Sequence, residues 1–262
     1  MPMTYQGTVT LITGASAGLG VEFARQWAAR GADLVLVARR LDRLEELAAD
    51  LEKRHGVTAH VIAADLARPG AAAALRAELD ARGIRVHSLI NNAGFGSHGP
   101  FARQDVAQIN GMIQLNVTAV AELTRAFLPD LVSDGRGALV NVASAAAYQP
   151  TPAMAVYGAS KAFVLNFTEA VGYETRNSTL RVLAVSPGPV STEFFDVVGS
   201  RDAAVGRMAT PEQVVTATRR ALERAKTPPS IVAGLANRVS AAAAALTPRR
   251  LTLAVSGRIL KA

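Results

Sequence analysis

Apolar runs alternate with amphipathic segments along nearly the whole chain. Short runs rich in Val, Ile and Leu read as buried strands at 8–12, 33–38 (DLVLVA), 57–63, 88–91, 138–142, 180–185 and 230–233. Between them, apolar positions three and four apart predict helices over 18–30, 41–55, 69–82, 156–177 and 211–225, with one long helical region from about 104 to 131. In the 41–55 segment, leucines at 41, 44, 47 and 51 carry the helical period. Strands that are apolar throughout, each followed by a helix, predict a parallel sheet covered on both faces. The expected fold is one doubly wound α/β domain around seven parallel strands. No Pro/Gly/Ser linker interrupts the alternation and no internal repeat is present, so one unit is expected over 1–235, with 236–262 as a basic extension of it.

Composition narrows the chemistry. The chain has 262 residues, half of them apolar, and no cysteine, which leaves no disulfide, thiol nucleophile or cysteine metal site. His55, His60, His87 and His98 are scattered without metal-ligand spacing, so no metal is expected. The N-terminal residues lack a basic flank, apolar run and cleavage site, and no apolar stretch reaches the ~20 residues of a membrane span. A cytoplasmic protein is the expectation. The net charge of +7 belongs to the end of the chain: of 28 basic residues, seven follow residue 223, where no acidic residue occurs. The body is neutral, which argues against a nucleic-acid binder.

Two local patterns carry candidate chemistry. The first strand runs into Thr13-Gly14-Ala15-Ser16-Ala17-Gly18-Leu19-Gly20 and then a helix start. Glycines let a phosphate approach the backbone, and a helix N-terminus supplies amide donors and a positive dipole end. The second strand ends in Ala38-Arg39-Arg40, with no carboxylate. A carboxylate there suits ribose hydroxyls, whereas a guanidinium suits an added 2′-phosphate, so NADP(H) is favoured over NAD; a solvated helix start is the competing reading. The second pattern is Tyr157 and Lys161, four apart on a predicted helix and therefore on one face. An ammonium near a phenol favours the phenolate, and a tyrosine of lowered pKa is a usable general acid/base.

Thr13–Gly20, Asn91-Asn92-Ala93-Gly94, Tyr157–Lys161 and Pro187-Gly188-Pro189-Val190-Ser191-Thr192 resemble, in order, the TGxxxGxG, NNAG, YxxxK and PGxVxT motifs of the short-chain dehydrogenase/reductase family. The resemblance covers about residues 8–192 and implies a Rossmann fold, a dinucleotide cofactor and a homodimer or homotetramer. It implies that Tyr157 gives a proton during reduction and that Lys161 lowers its pKa and holds the nicotinamide ribose. Ser144 would hydrogen-bond the substrate oxygen, and Asn116 would hold a relay water near Lys161. For the cofactor it implies Gly14, Ser16, Gly18, Leu19 and Gly20 at the phosphates, with Ser16 adding a hydroxyl. Asp65 and Leu66 would lie at the adenine, although a helix N-cap is an equal reading of Asp65. Asn92, Ala93 and Gly94 would line the adenine and ribose side, and Pro187, Gly188, Val190 and Thr192 would fix the carboxamide.

Beyond the motifs, Phe194, Phe195, Val197, Val198 and Met208 suggest an apolar lid over 193–210, with ordinary helix packing as the alternative. Phe95 and Gly96 fit the opposite wall. The expected substrate is a hydrophobic ketone, aldehyde or alcohol, with Arg201 and Arg207 as cations in the same stretch. The tail, with five alanines at 241–245, a Thr247-Pro248 break and interleaved basic and apolar residues, admits three readings. It can pack on its own domain or a sister subunit, touch an anionic membrane, or contact nucleic acid; no aromatic residue supports the last. A dinucleotide-sensing protein without chemistry is the rival to an enzyme.

Overall fold

The computed structural model describes residues 3–199 and 208–260. Its seven strands are β1 (Val9–Thr13), β2 (Asp33–Ala38), β3 (Ala59–Ala63), β4 (Ser88–Asn91), β5 (Ala138–Val142), β6 (Arg181–Pro187) and β7 (Ser230–Ala233). All pair in parallel, in the order β3-β2-β1-β4-β5-β6-β7. Helices cover both faces: α1 (Gly18–Ala28), α2 (Leu41–His55), α3 (Ala71–Ala81), α4 (Val106–Ile113), α5 (Ala119–Asp134), α6 (Ala155–Glu174), α7 (Phe194–Val198), α8 (Pro211–Leu222), α9 (Leu235–Leu246) and α10 (Arg249–Ile259).

The strand residues that read as continuous apolar runs are those buried on both faces. On one side Ile12, Leu34 and Leu36 meet Phe23 and Trp27 of α1 and Leu44 and Leu51 of α2. On the other, Leu11, Val35 and Leu89 meet Leu75 and Leu79 of α3 and Leu123, Phe127 and Leu131 of α5. The alternation of Leu11 and Ile12, or of Leu34 and Val35, between the two clusters is the period of two of a strand. Trp27 is fully buried, with Tyr5 and Phe23 edge-on to its ring at centroid distances of 5.8 and 5.5 Å. Aromatic pairs in this geometry add to the energy of area burial.

Local sequence explains most helix ends. Gly56, at φ 66°, closes α2 in the left-handed region. Thr210 and Gln213 form a reciprocal capping box at α8, with Pro211 in its first turn. The long helical region expected over about 104–131 is present over 106–134, with a π-helical turn at Gln114–Thr118 dividing it into α4 and α5. Such a turn inserts one residue into the helical register. The helix expected from residue 69 starts at Ala71, because Gly70 precedes it at φ 78°. Asp65 is therefore not its N-cap; its carboxylate accepts from Ala67 N at 3.1 Å in a turn of its own. The tail folds as α9 and α10, broken at Thr247-Pro248, and α9 lies on β7 and on a 3-10 turn over Ala145–Tyr148.

The strand order reverses between β1 and β4: successive connections run one way to β3 and the other way to β7. The carboxyl ends of the strands around that reversal form a crevice, which is where open α/β sheets bind ligands.

Candidate active site

A continuous cleft of about 870 Å³ opens at this carboxyl edge. Its floor begins at the turn after β1. Gly14 and Gly18 have φ of 66° and 54°, a region open to glycine, and a Cβ on Gly14 would stand 2.9 Å from Ala93 Cα. One on Gly18 would stand 2.9 Å from Thr192 Cγ2, so the turn is packed between the β4 and β6 loops. Thr13 Oγ1 pins it there, accepting from Asn92 N and Ala93 N, both at 3.0 Å. Ala17, the N-cap of α1, has no side-chain acceptor for the first-turn amides. Those donors face a site lined by Ser16, Gly18 and Leu19, an arrangement suited to a phosphate.

At the rim beyond this turn, Arg40 donates to Ser16 Oγ through Nε at 3.2 Å and Nη2 at 3.1 Å. Arg39 is exposed beside it, and Asp65 and Leu66 line the same end. A residue that motif reading missed also reaches this rim. Glu193 accepts from Arg40 Nη1 at 3.0 Å and from Arg43 Nη1 at 2.6 Å. Hydrogen bonds from Arg43 and then Arg40 hold its carboxyl below the usual carboxylate range. Arg40 follows β2 and Glu193 follows β6, four strand spacings away, so this pair bridges the crevice over roughly 19 Å of sheet. No sequence signal marks it, because its partners are 150 and 153 residues distant.

The opposite end of the cleft holds Tyr157, Lys161, Ser144 and Asn116. Tyr157 and Lys161 lie in the first two turns of α6, on its buried face. Lys161 Nζ donates to Val142 O, the last carbonyl of β5, at 2.7 Å. Asn116 sits in the π-helical turn and is wholly buried. Its side chain accepts from Phe95 N at 3.2 Å and donates to Phe95 O at 2.9 Å and to Ser160 Oγ at 3.1 Å. A Cβ on Gly94 would stand 3.0 Å from Asn116 Oδ1 and 3.3 Å from Lys161 Nζ, which places the two side chains against one backbone point. Ser144 follows β5 and accepts from Ala146 N at 3.1 Å.

The electrostatics differ from the sequence expectation. Lys161 is expected to pull the Tyr157 phenol down. In the structure burial pushes that hydroxyl up, and a hydrogen bond with Ser144 opposes the rise. The physical reason is position: the ammonium is held at the Val142 carbonyl, 6.0 Å from the centre of the Tyr157 ring. Burial also lowers Lys161 itself, to about 8.

Over this centre, Phe194 packs on Tyr157 at a centroid distance of 5.4 Å and Phe195 packs edge-on to Phe194. Gly96 makes that approach feasible, since a Cβ there would stand 3.0 Å from Tyr157 Cδ2 and 3.1 Å from Phe194 Cζ. Phe95 lines the cleft beside them. Of the predicted lid, Val198 is buried with Tyr157, whereas Met208 is exposed and does not line the cleft. The side chain of Val197, and Arg201 and Arg207, lie outside the described residues. Pro187, Gly188, Val190 and Thr192 line the floor between the two ends. Gly188 abuts the Asn237 side chain of α9, a contact no motif foretold. Among the described residues no cluster of three or more His, Asp or Glu is placed to hold a metal, and no helix is long and apolar enough to cross a membrane.

A family model described as short chain dehydrogenase matches residues 8–203. The chain belongs to the short-chain dehydrogenase family. Among curated members of the family, it is 39% identical to sulfoacetaldehyde reductase 2 of Chromohalobacter salexigens over 188 residues, covering 71% of this chain and 74% of that one. It is 33% identical to the very-long-chain 3-oxoacyl-CoA reductase of Anas platyrhynchos over 196 residues, 73% of this chain and 62% of that one. Among solved structures, a short-chain dehydrogenase from Sphingobium yanoikuyae in complex with NADPH superposes with a TM-score of 0.80 at 36% identity, covering 91% and 93% of the two chains. A 7beta-hydroxysteroid dehydrogenase superposes at 0.84 with 28% identity, covering 97% and 98%. The seven-stranded parallel sheet with flanking helices is the fold of this family. The family match ends before α8, so α9 and α10 lie beyond it.

Proposed function

We propose that this short-chain dehydrogenase is an NADP(H)-dependent oxidoreductase that interconverts a carbonyl and an alcohol on a hydrophobic substrate, with Tyr157 as general acid/base. One observation carries the reading. A single cleft joins a phosphate-suited turn and a guanidinium rim to a buried Tyr-Lys-Ser-Asn group.

The residues present fit a dinucleotide. The uncapped first turn of α1 and the glycines before it offer amide donors to a pyrophosphate. Arg40, already oriented by Ser16, supplies a fork for a 2′-phosphate, and Arg39 adds charge beside it. Asp65 and Leu66 would line the adenine, and Asn92, Ala93, Gly94, Pro187, Gly188, Val190 and Thr192, all lining the cleft, would hold the rest. When bound, the nicotinamide supplies the hydride; this chain positions, polarises and moves the proton.

During reduction, negative charge grows on the substrate oxygen. Ser144 and Tyr157 are the hydroxyl donors for that charge, with the Phe194 ring packed against the phenol. A raised phenol pKa keeps Tyr157 protonated at neutral pH, the state a proton donor requires. As the proton leaves, the Ser144 hydrogen bond, which already opposes the rise of the phenol, stabilises the phenolate, and the Val142 carbonyl holds the Lys161 ammonium where it would bind the nicotinamide ribose. Asn116, fixed by Phe95 and Ser160, orders the polar path beside Lys161.

A panel of aliphatic and aromatic ketones, aldehydes and alcohols, followed by NADPH absorbance, tests this reading. Turnover that disappears in Tyr157→Phe supports it. Tight NADPH binding with no turnover of any member would favour a sensor.

A further inference from the structure

Helix α10 is built inside out. Its buried positions are Thr252 and Ser256, at 7% and 2% exposure, whereas Leu251, Val255 and Ile259 are 56%, 47% and 46% exposed. A helix at a protein surface ordinarily turns such an i, i+4, i+8 stripe inward. Here the stripe borders the cleft: Leu251, Val255 and Ile259 all line it, with Thr252 and Ser256 on their inner side. The helix ends at Leu260, which is buried with Tyr157, Met154 and Met112. His98 Nε2 stands 3.1 Å from Leu260 O and ties that end to the loop after β4. From Ile259 back to Leu251 the stripe runs ~12 Å at the helical rise.

The facing wall adds no charge. α9 presents Ser240, Ala241, Ala244 and Thr247 to the cleft, a low surface beside which a chain can lie. Among the described lining residues, cationic side chains are Arg39 and Arg40 at the far rim and Lys161 at the centre, and acidic ones are Asp65 and Glu193 near that rim.

We propose that α10 is a rail for the aliphatic part of the substrate: a neutral carbonyl compound, or its alcohol, with an extended unbranched chain. The oxygen sits at Ser144 and Tyr157, and the chain runs along Ile259, Val255 and Leu251. The proposal rests on the oxidoreductase reading of the same cleft. It separates this chain from a relative named for sulfoacetaldehyde, a small anion.

The test has an activity arm and a binding arm. In the first, straight-chain aldehydes of increasing length are reduced with NADPH, alongside sulfoacetaldehyde. kcat/KM should climb roughly fourfold per methylene and level off once the chain spans the rail. Replacing the stripe with Leu251→Asn and Val255→Thr, both at half-exposed positions, should lower the ratio of long-chain to short-chain kcat/KM about tenfold. In the second arm, calorimetry measures straight-chain primary alcohols binding to the NADPH-loaded protein, a pairing with no hydride acceptor and so no turnover. Affinity should rise with length in the native chain and flatten in the double variant.

Turnover without a length gradient, an unchanged ratio in the variant, or a preference for sulfoacetaldehyde overturns the rail and leaves the reaction standing. Length-dependent binding without turnover of any aldehyde overturns the reaction and leaves the rail standing. Neither turnover nor length-dependent binding overturns both.

Discussion

The two ends of the cleft are built on opposite plans. The end at the glycine turn is polar, and except for Glu193 its parts come from the first three βα units: the turn after β1, the arginines after β2 and Asp65 after β3. The substrate end is apolar, and its wall brings together Phe95, Phe194 and the stripe on α10, which are far apart in sequence. On the proposed reading, charge and backbone would recognise the constant part of the reaction, and side-chain surface the variable part. The proposed catalytic groups sit where the two plans meet, on α6 and just after β5.

Four changes would sharpen or break that division, from the largest effect down. Tyr157→Phe removes the proton donor at the junction. Its turnover should fall by about a thousandfold, while NADPH affinity by fluorescence titration stays within about twofold. Comparable losses in both would mean that the two ends are not separable.

Arg40→Ala acts only on the polar end. Loss of a charged, paired hydrogen bond costs about 1.5–3 kcal/mol, so NADPH should bind some ten- to hundredfold more weakly. NADH should be unaffected, and an equal loss for both cofactors would remove the case for a 2′-phosphate at Arg40.

Lys161 has a stability signature. Burial lowers its pKa from 10.5 to about 8. Between those values the unfolded chain binds the extra proton, so stability rises as pH climbs through about 8 to 10.5, and the full penalty applies below 8. Lys161→Met should therefore unfold at higher denaturant at pH 7, by about 2 kcal/mol, even after leaving the Val142 carbonyl without its donor. The gap should narrow at pH 10. A destabilised variant at pH 7 would show that the ammonium is better solvated than its burial implies.

Glu193→Gln is the smallest change. The carboxylate competes with a phosphate for Arg40, so its loss should tighten NADPH by about threefold, within the range of an exposed ion pair, and leave NADH alone. Weaker NADPH binding would make Glu193 a latch on the bound cofactor.

How much of this was legible in the chain follows the same division. The central strands are readable because they are buried on both faces and so largely apolar, as in DLVLVA at 33–38, and the half-buried edge strands β3 and β7 keep short apolar runs. The glycine turn and the Tyr157–Lys161 pair are readable because backbone geometry and helix period are local. The π-helical turn at Asn116 was hidden, since a one-residue insertion leaves the apolar pattern of 104–131 intact. So was the direction of the Tyr157 shift, which depends on where the Lys161 ammonium lies, and that is set by a carbonyl on another strand. Glu193 and the orientation of α10 are tertiary facts. Leucines four apart announce a helix face without saying whether it turns toward a core or toward a ligand.

The bridge between Arg40, Arg43 and Glu193 bears on how ionic strength acts. Both partners of each pair are about half exposed, so salt screens their attraction. A 2′-phosphate arriving at Arg40 would meet a guanidinium already holding an anion, and binding there becomes an exchange of one anion for another. Screening then weakens what is lost as well as what is gained. NADPH affinity should fall less steeply with salt than two or three arginines at the rim would suggest, and in Glu193→Gln the full dependence should return.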